Sequence, residues 1–261
     1  MTFWIEFGIL FTASLLGALA ILPYSLRLLE GSVQKNPLKM SMQKIVVLSV
    51  VQNVILFAVV TGVGLWAAHA IGLGAPYIEA ALAGNLSSQS LMYAVVVAIV
   101  WGAIAGATLL IADLFFLPYW PQPLVDTARK TTAWENFSAS FYGGINEELL
   151  IRLFGLSVLL WLLSLVLHTP SGAPTIAGFW IVNVVMTIVF GLGHLPAIKN
   201  LAGTISPVMF ARTLLLNAPI GLLCGWLFWI YGIEAAIVAH FCADIIYHVY
   251  GTFVLRQKIG V

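Results

Sequence analysis

The chain has 261 residues, 61% hydrophobic and only 8% charged, against about 25% charged in a typical soluble domain. That composition excludes a soluble globular domain and predicts an all-α, polytopic transmembrane helical bundle of about seven to eight spans, residues 1–261 forming one membrane domain. With a formal net charge of +1, no nucleic acid or other polyanion is expected as a partner, and membrane lipid is the surrounding medium.

The first predicted span is Phe3–Leu22. It lacks a basic leading region and a small-residue cleavage site, so it reads as a retained helix rather than a signal peptide. Spans two and three are Ile45–Ile71 and Leu91–Leu117. The stretch Gln122–Asn136, with Asp126, Arg129, Lys130, Trp134 and Glu135, reads as a short amphipathic interfacial helix or loop. Span four, Phe137–Leu167, is too long for a straight crossing, so it is tilted or begins in the interface. Ile176–Leu195, Val208–Tyr231 and Ile233–Leu255 complete the set. Cys224 and Cys242 both fall in spans and read as reduced core thiols. No internal repeat supports a transporter of inverted-repeat design. A retinal-type receptor would need a lysine in the last span, and Ile233–Leu255 contains none.

Lysine and arginine set the orientation. Arg27, Lys35, Lys39, Lys44, Arg129, Lys130, Lys199, Arg256 and Lys258 all fall on one side of a seven-span chain. The loops 70–90, 168–175 and 231–234 carry none. The positive-inside rule then predicts an N-terminus outside and a C-terminus in the cytoplasm. Short loops and no organelle signal favour a prokaryotic inner membrane.

Ionisable groups inside spans are costly and are functional candidates by default. The stretch GGINEELLIRLFG, residues 143–155, holds three of them. Glu148 and Arg152 are spaced i, i+4 with the acid first, the favourable order for a helical ion pair. Glu147 lies about 100° around the helix, free to act as a general base; alternatively all three charges form one buried network that fixes packing. His194, in FGLGHLPA with Phe190 one turn earlier, is placed near the cytoplasmic end of its span, where a hydrogen-bonded interfacial role competes with a catalytic one. His69 has no titratable neighbour in sequence and reads as a hydrogen-bonded residue. In AHFCADIIYHVYG, His240, Asp244 and His248 recur every four residues on one face. The aspartate could fix the imidazole tautomer, the face could supply metal ligands, or it could be a polar stripe met by neighbouring helices. Asn217, close to Pro219, reads as a packing or kink feature. Arg212 is expected to snorkel to the interface. Together, Glu147 and His194 can hold and deprotonate a water, while His240 and a polar neighbour can stabilise an oxyanion. Those parts suffice to hydrolyse a carbonyl compound, a peptide above all.

At these residues the chain resembles the CPBP intramembrane proteases, which include CAAX prenyl proteases and bacterial bacteriocin-processing and Abi-type self-immunity proteins. Glu147, Glu148 and Arg152 match the first motif, Phe190 and His194 the second, His240 and Asp244 the third. The resemblance covers 137–251, taken as the catalytic core. It implies an intramembrane endopeptidase open to the cytoplasmic side. Glu147 would be the general base, His194 would help to hold the water, His240 and Asp244 would stabilise the oxyanion, and Glu148 and Arg152 would support the first carboxylate. His248 and Asn217 are further candidates. The expected mechanism is metal-free; the alternative is a divalent metal such as zinc held by Glu147, His194, His240 and Asp244. The expected partner is a peptide or membrane-protein substrate, a prenylated one among the options. The competing function is a catalytically silent membrane scaffold or chaperone with the same fold.

Overall fold

A computed structural model describes residues 2–26 and 41–258. Arg27, Lys35 and Lys39, part of the orientation argument, lie outside the described residues. Among those described, the protein is helical throughout, with no strand beyond an isolated bridge between His168 and Pro174. The helices are α1 (Thr2–Ala20), α2 (Met42–Ala70), α3 (Pro76–Leu82), α4 (Ser88–Phe116), α5 (Gln122–Lys130), α6 (Ala133–Phe141), α7 (Ser157–Ser164), α8 (Ile176–Ala202), α9 (Pro207–Tyr231), α10 (Ile233–Asp244) and α11 (Gly251–Lys258).

Six helical stretches are long and apolar enough to cross a membrane. The seventh expected span is present as a continuous helical run, 133–164, in which α6 and α7 are joined by the π-helical turns Tyr142–Glu147 and Leu149–Leu156. A third π-helical turn, Ile245–Tyr250, joins α10 to α11. The amphipathic segment expected at 122–136 is α5 and the start of α6.

Helices α2 and α4 begin about a turn earlier than hydropathy alone suggests, because polar residues close their first turns. The hydroxyls of Ser41, Ser87, Thr175 and Ser206 each accept from the amide three residues on. Thr132 and Glu135 form a capping box at α6. Such caps satisfy amides that a helix start leaves open.

The bundle is organised around α9 and α10. α9 packs against α8 on one side and α10 on the other, while α4 packs against α10. Gly102 and Gly106 of α4 face the backbone of Ala239 and Ala243, so closely that an added Cβ would overlap it. Close approach through small residues is how helices associate where lipid removes the hydrophobic drive. The run 133–164 packs against α1, α2, α10 and α8. The outward faces of the long helices carry exposed apolar residues such as Leu48, Ile55, Phe115 and Ile181, as a lipid-facing surface requires.

Two sequence expectations fail here. Arg212 does not snorkel. It is buried, its guanidinium making paired 2.6 Å bonds to both oxygens of Asp113 and a 3.2 Å bond to the Tyr247 hydroxyl. Trp120 lies under the same guanidinium, its ring centre 5.1 Å away. A fixed partner at depth outweighs the reach of a long side chain to water. His194 sits deeper in its helix than expected. α8 continues through Pro196 to Ala202, so His194 sits about two turns inside it.

Candidate active site

Gly143 and Gly144 begin the site. A Cβ on Gly143 would overlap Asp244 Oδ2, and one on Gly144 would meet Phe241 and the carbonyl of Ile237 at 3.0 and 3.2 Å. The two glycines therefore let the run 133–164 lie directly on α10. Asn146 ties the same run to α1 by donating to the Ser14 carbonyl at 2.9 Å.

The next residues point two ways. Glu148 is fully buried, and its Oε1 accepts from Arg152 Nη1 at 2.8 Å. Arg152, 1% exposed, also donates to the Gly221 carbonyl at 2.9 Å, and Phe190 lies 5.0 Å beneath its guanidinium. The expected i, i+4 pair is thus present, and it is anchored to α9 and α8. Glu147, one residue earlier, is a quarter exposed and opens onto a cavity.

That cavity has a volume of about 350 Å³. His194, His240, Asp244, His248 and Asn217 join Glu147 in its polar wall, so every catalytic candidate borders one space. Leu109, Leu124, Ile198, Leu201 and Leu216 supply much of the apolar wall. Its lining includes residues from α5 and from the end of α8, at the end of the bundle that carries Arg129, Lys130 and Lys199.

His194 Nδ1 is 2.8 Å from the Phe190 carbonyl. A carbonyl only accepts, so Nδ1 carries the proton and Nε2 is left as an acceptor. Nε2 stands 4.0 Å from Glu147 Oε1. Two acceptors at that separation can both receive hydrogen bonds from one water.

His240 is buried, with Nδ1 2.6 Å from Glu148 Oε1. The carboxylate that orients this imidazole is therefore Glu148, on another helix, and not Asp244 as the i, i+4 spacing suggested. Nε2 faces the cavity, 3.9 Å from Glu147 Oε2 and 3.7 Å from Asp244 Oδ1. Asp244 Oδ1 is also 3.8 Å from Nε2 of the half-exposed His248. Phe190 packs edge-on against both His194 and His240, with ring centres 4.8 and 5.8 Å away. Asn217 donates to the Thr213 carbonyl in its own helix at 2.7 Å.

The fit of a metal follows from these distances. Glu147, His194, His240 and Asp244 form an open chain with steps of 3.7–4.0 Å, and no three of them bring donor atoms within 4.8 Å of one another, as a closed tetrahedral shell requires. The compact trio is Glu148, Cys224 and His240. There the 2.6 Å bond between Glu148 and His240 and the pairing with Arg152 already occupy the donors. Neither set closes around an ion, and no step below uses one.

Sequence reasoning missed two parts. The Gly143–Gly144 pair ahead of the glutamates was a readable signal for close helix approach. The buried cluster of Asp113, Arg212 and Tyr247 beside the cavity had none, because its members lie on three separate spans.

Residues 129–246 match the family described as Type II CAAX prenyl endopeptidase Rce1-like. The match lies on the segment that carries all three motifs and bears out their resemblance to the CPBP/CAAX proteases. No curated protein and no solved structure matches the chain.

Proposed function

We propose that this chain, an integral membrane protein matching the CAAX protease family over residues 129–246, is an intramembrane endopeptidase that hydrolyses a peptide bond by carboxylate-activated water. The observation that carries the reading is the pair of acceptors, Glu147 Oε1 and His194 Nε2, 4.0 Å apart at the wall of one cavity.

A water between them donates to both, which leaves its lone pair for the substrate carbonyl carbon. Glu147 takes one proton as the C–O bond forms. His240, held at Nδ1 by Glu148, donates Nε2–H to the developing oxyanion when its imidazole carries both protons. The C–N bond then breaks, and the proton held by Glu147 passes to the leaving amine. Glu148 and Arg152 act through others. They fix the imidazole of His240 and the helix that presents Glu147. Asp244 as a carboxylate only accepts, so it donates nothing to the oxyanion; its part is positional, a charge 3.7 Å from His240 Nε2 and 3.8 Å from His248 Nε2.

The apolar wall suits a hydrophobic or lipid-modified peptide, a prenylated CAAX-type tail among them. The basic residues at that end of the cavity support a site facing the cytoplasmic side, with the N-terminus outside.

The test is a comparison of membrane and secreted peptides from cells carrying wild type or Glu147→Gln at equal abundance. A fragment that disappears with the mutation while its precursor accumulates supports the reading and identifies the substrate. Unchanged peptides, where deletion of the protein has a phenotype, replace it with a scaffold function.

A further inference from the structure

At the end of the bundle remote from the cavity, α1, α2 and α3 bring together three ligand-type side chains that the proposed chemistry does not use. Glu6 on α1 is 1% exposed. His69 lies in the last turn of α2, and Glu79 on α3 is open to solvent. Nε2 of His69 is 3.2 Å from Glu6 Oε2 and 3.3 Å from Glu79 Oε1. One ring nitrogen thus faces two carboxylates, which can at most share its single N–H.

A second observation concerns Glu6 itself. Its other oxygen, Oε1, is buried without a well-formed hydrogen bond among the described residues, although the Ala75 backbone amide acts on the same carboxylate. A buried carboxylate oxygen without a donor or a cation is costly, and a bound cation would offset that cost. The three donor atoms lie within 4.8 Å of one another. His69 and Glu79 border an open cavity of about 420 Å³, which gives an ion and its waters a way in. Gly74 keeps the space clear, since a Cβ there would sit 2.8 Å from Glu79 Oε1 and 3.2 Å from the His69 ring. Glu234 of α10 holds α3 in position. Its Oε1 accepts from the amides of Tyr77 and Ile78 at 2.9 Å each.

We propose that Glu6, His69 and Glu79 bind a divalent transition-metal ion of the zinc class. Two carboxylates and a neutral imidazole carry a charge of −2, which the ion balances. The donor set suits zinc, with water in the remaining position. The ion ties the start of α1 to the end of α2 and to α3, a structural role separate from the catalytic cavity.

The experiment uses the full chain in detergent, stripped by a chelator and then titrated with zinc chloride. Calorimetry reads the stoichiometry, and thermal unfolding reads the linkage. Cobalt chloride provides a ligand-field spectrum of the same site. Wild type is expected to bind one ion at this site and to unfold at a higher temperature with zinc. Glu79→Gln, at a solvent-exposed position where folding is not at risk, is expected to weaken binding by at least about tenfold, as loss of a ligand must exceed loss of an outer partner. His69→Gln should do the same, while Glu147→Gln should retain the Glu79-dependent site. No zinc-dependent shift in wild type, or equal binding by wild type and Glu79→Gln, overturns the proposal and leaves the trio as an ion-pair clamp.

Discussion

Glu148 and His240 share a 2.6 Å hydrogen bond although 92 residues of chain separate them. The same oxygen of Glu148 accepts from Arg152 at 2.8 Å. One buried carboxylate therefore joins the run 133–164 to α10 and sets which nitrogen of His240 faces the cavity.

Replacing that carboxylate by an amide should separate orientation from folding. Glu148→Gln keeps the shape but leaves Arg152 without its counter-charge and gives His240 a weaker, neutral partner. The expected result is a loss of turnover of roughly 10–100-fold with smaller change in substrate affinity, by analogy with outer-partner losses around functional imidazoles. Peptide cleavage in proteoliposomes, analysed for kcat and KM separately, checks it. A change confined to KM would contradict the orienting role.

Glu147→Gln should behave differently. It removes the base but leaves every contact of the buried network. Cleavage should fall by about 10²–10⁴-fold, the range for losing a general base, with the melting temperature unchanged. Cleavage at the wild-type rate would remove Glu147 from the mechanism.

Gly143→Ala tests the close approach of helices. The new methyl group collides with the Asp244 carboxylate, and Asp244 must turn away or α10 must move. Turnover is expected to fall at least tenfold, in the range of misplaced catalytic geometry, while the protein still inserts and purifies as a folded species. Retained activity would mean that Asp244 has no positional role.

The pair of Asp113 and Arg212 should show strong coupling. Removing either partner alone, as Asp113→Asn or Arg212→Met, leaves a buried group uncompensated and should destabilise by about 3–5 kcal/mol. The double replacement Asp113→Leu with Arg212→Met should recover much of that loss, because both charges go together. Thermal unfolding in detergent of the two single variants and the double variant reads the coupling. Additive losses would show that the pair is not the unit.

Much of this protein is determined by its sequence alone. Apolar runs about 20 residues long cannot be solvated except by lipid, so the all-helical membrane bundle follows from composition. The ion pair of Glu148 with Arg152 follows from the helical repeat, because residues four apart share a face whatever surrounds them. The three motifs likewise single out Glu147, His194, His240 and Asp244 within one chain. What no single segment encodes is how the helices are rotated and staggered against one another. A straight-helix reading sets His194 and His240 at different depths. In the folded chain both border one cavity, beside two runs with π-helical turns at 142–156 and 245–250, and such widened turns re-aim the side chains that follow them. The same dependence on packing gives His240 its partner in Glu148 rather than Asp244, buries Arg212 against Asp113, and places His69 between Glu6 and Glu79. Each of these contacts joins separate helices, and its energy exists only once tertiary packing has excluded water and lipid from between them.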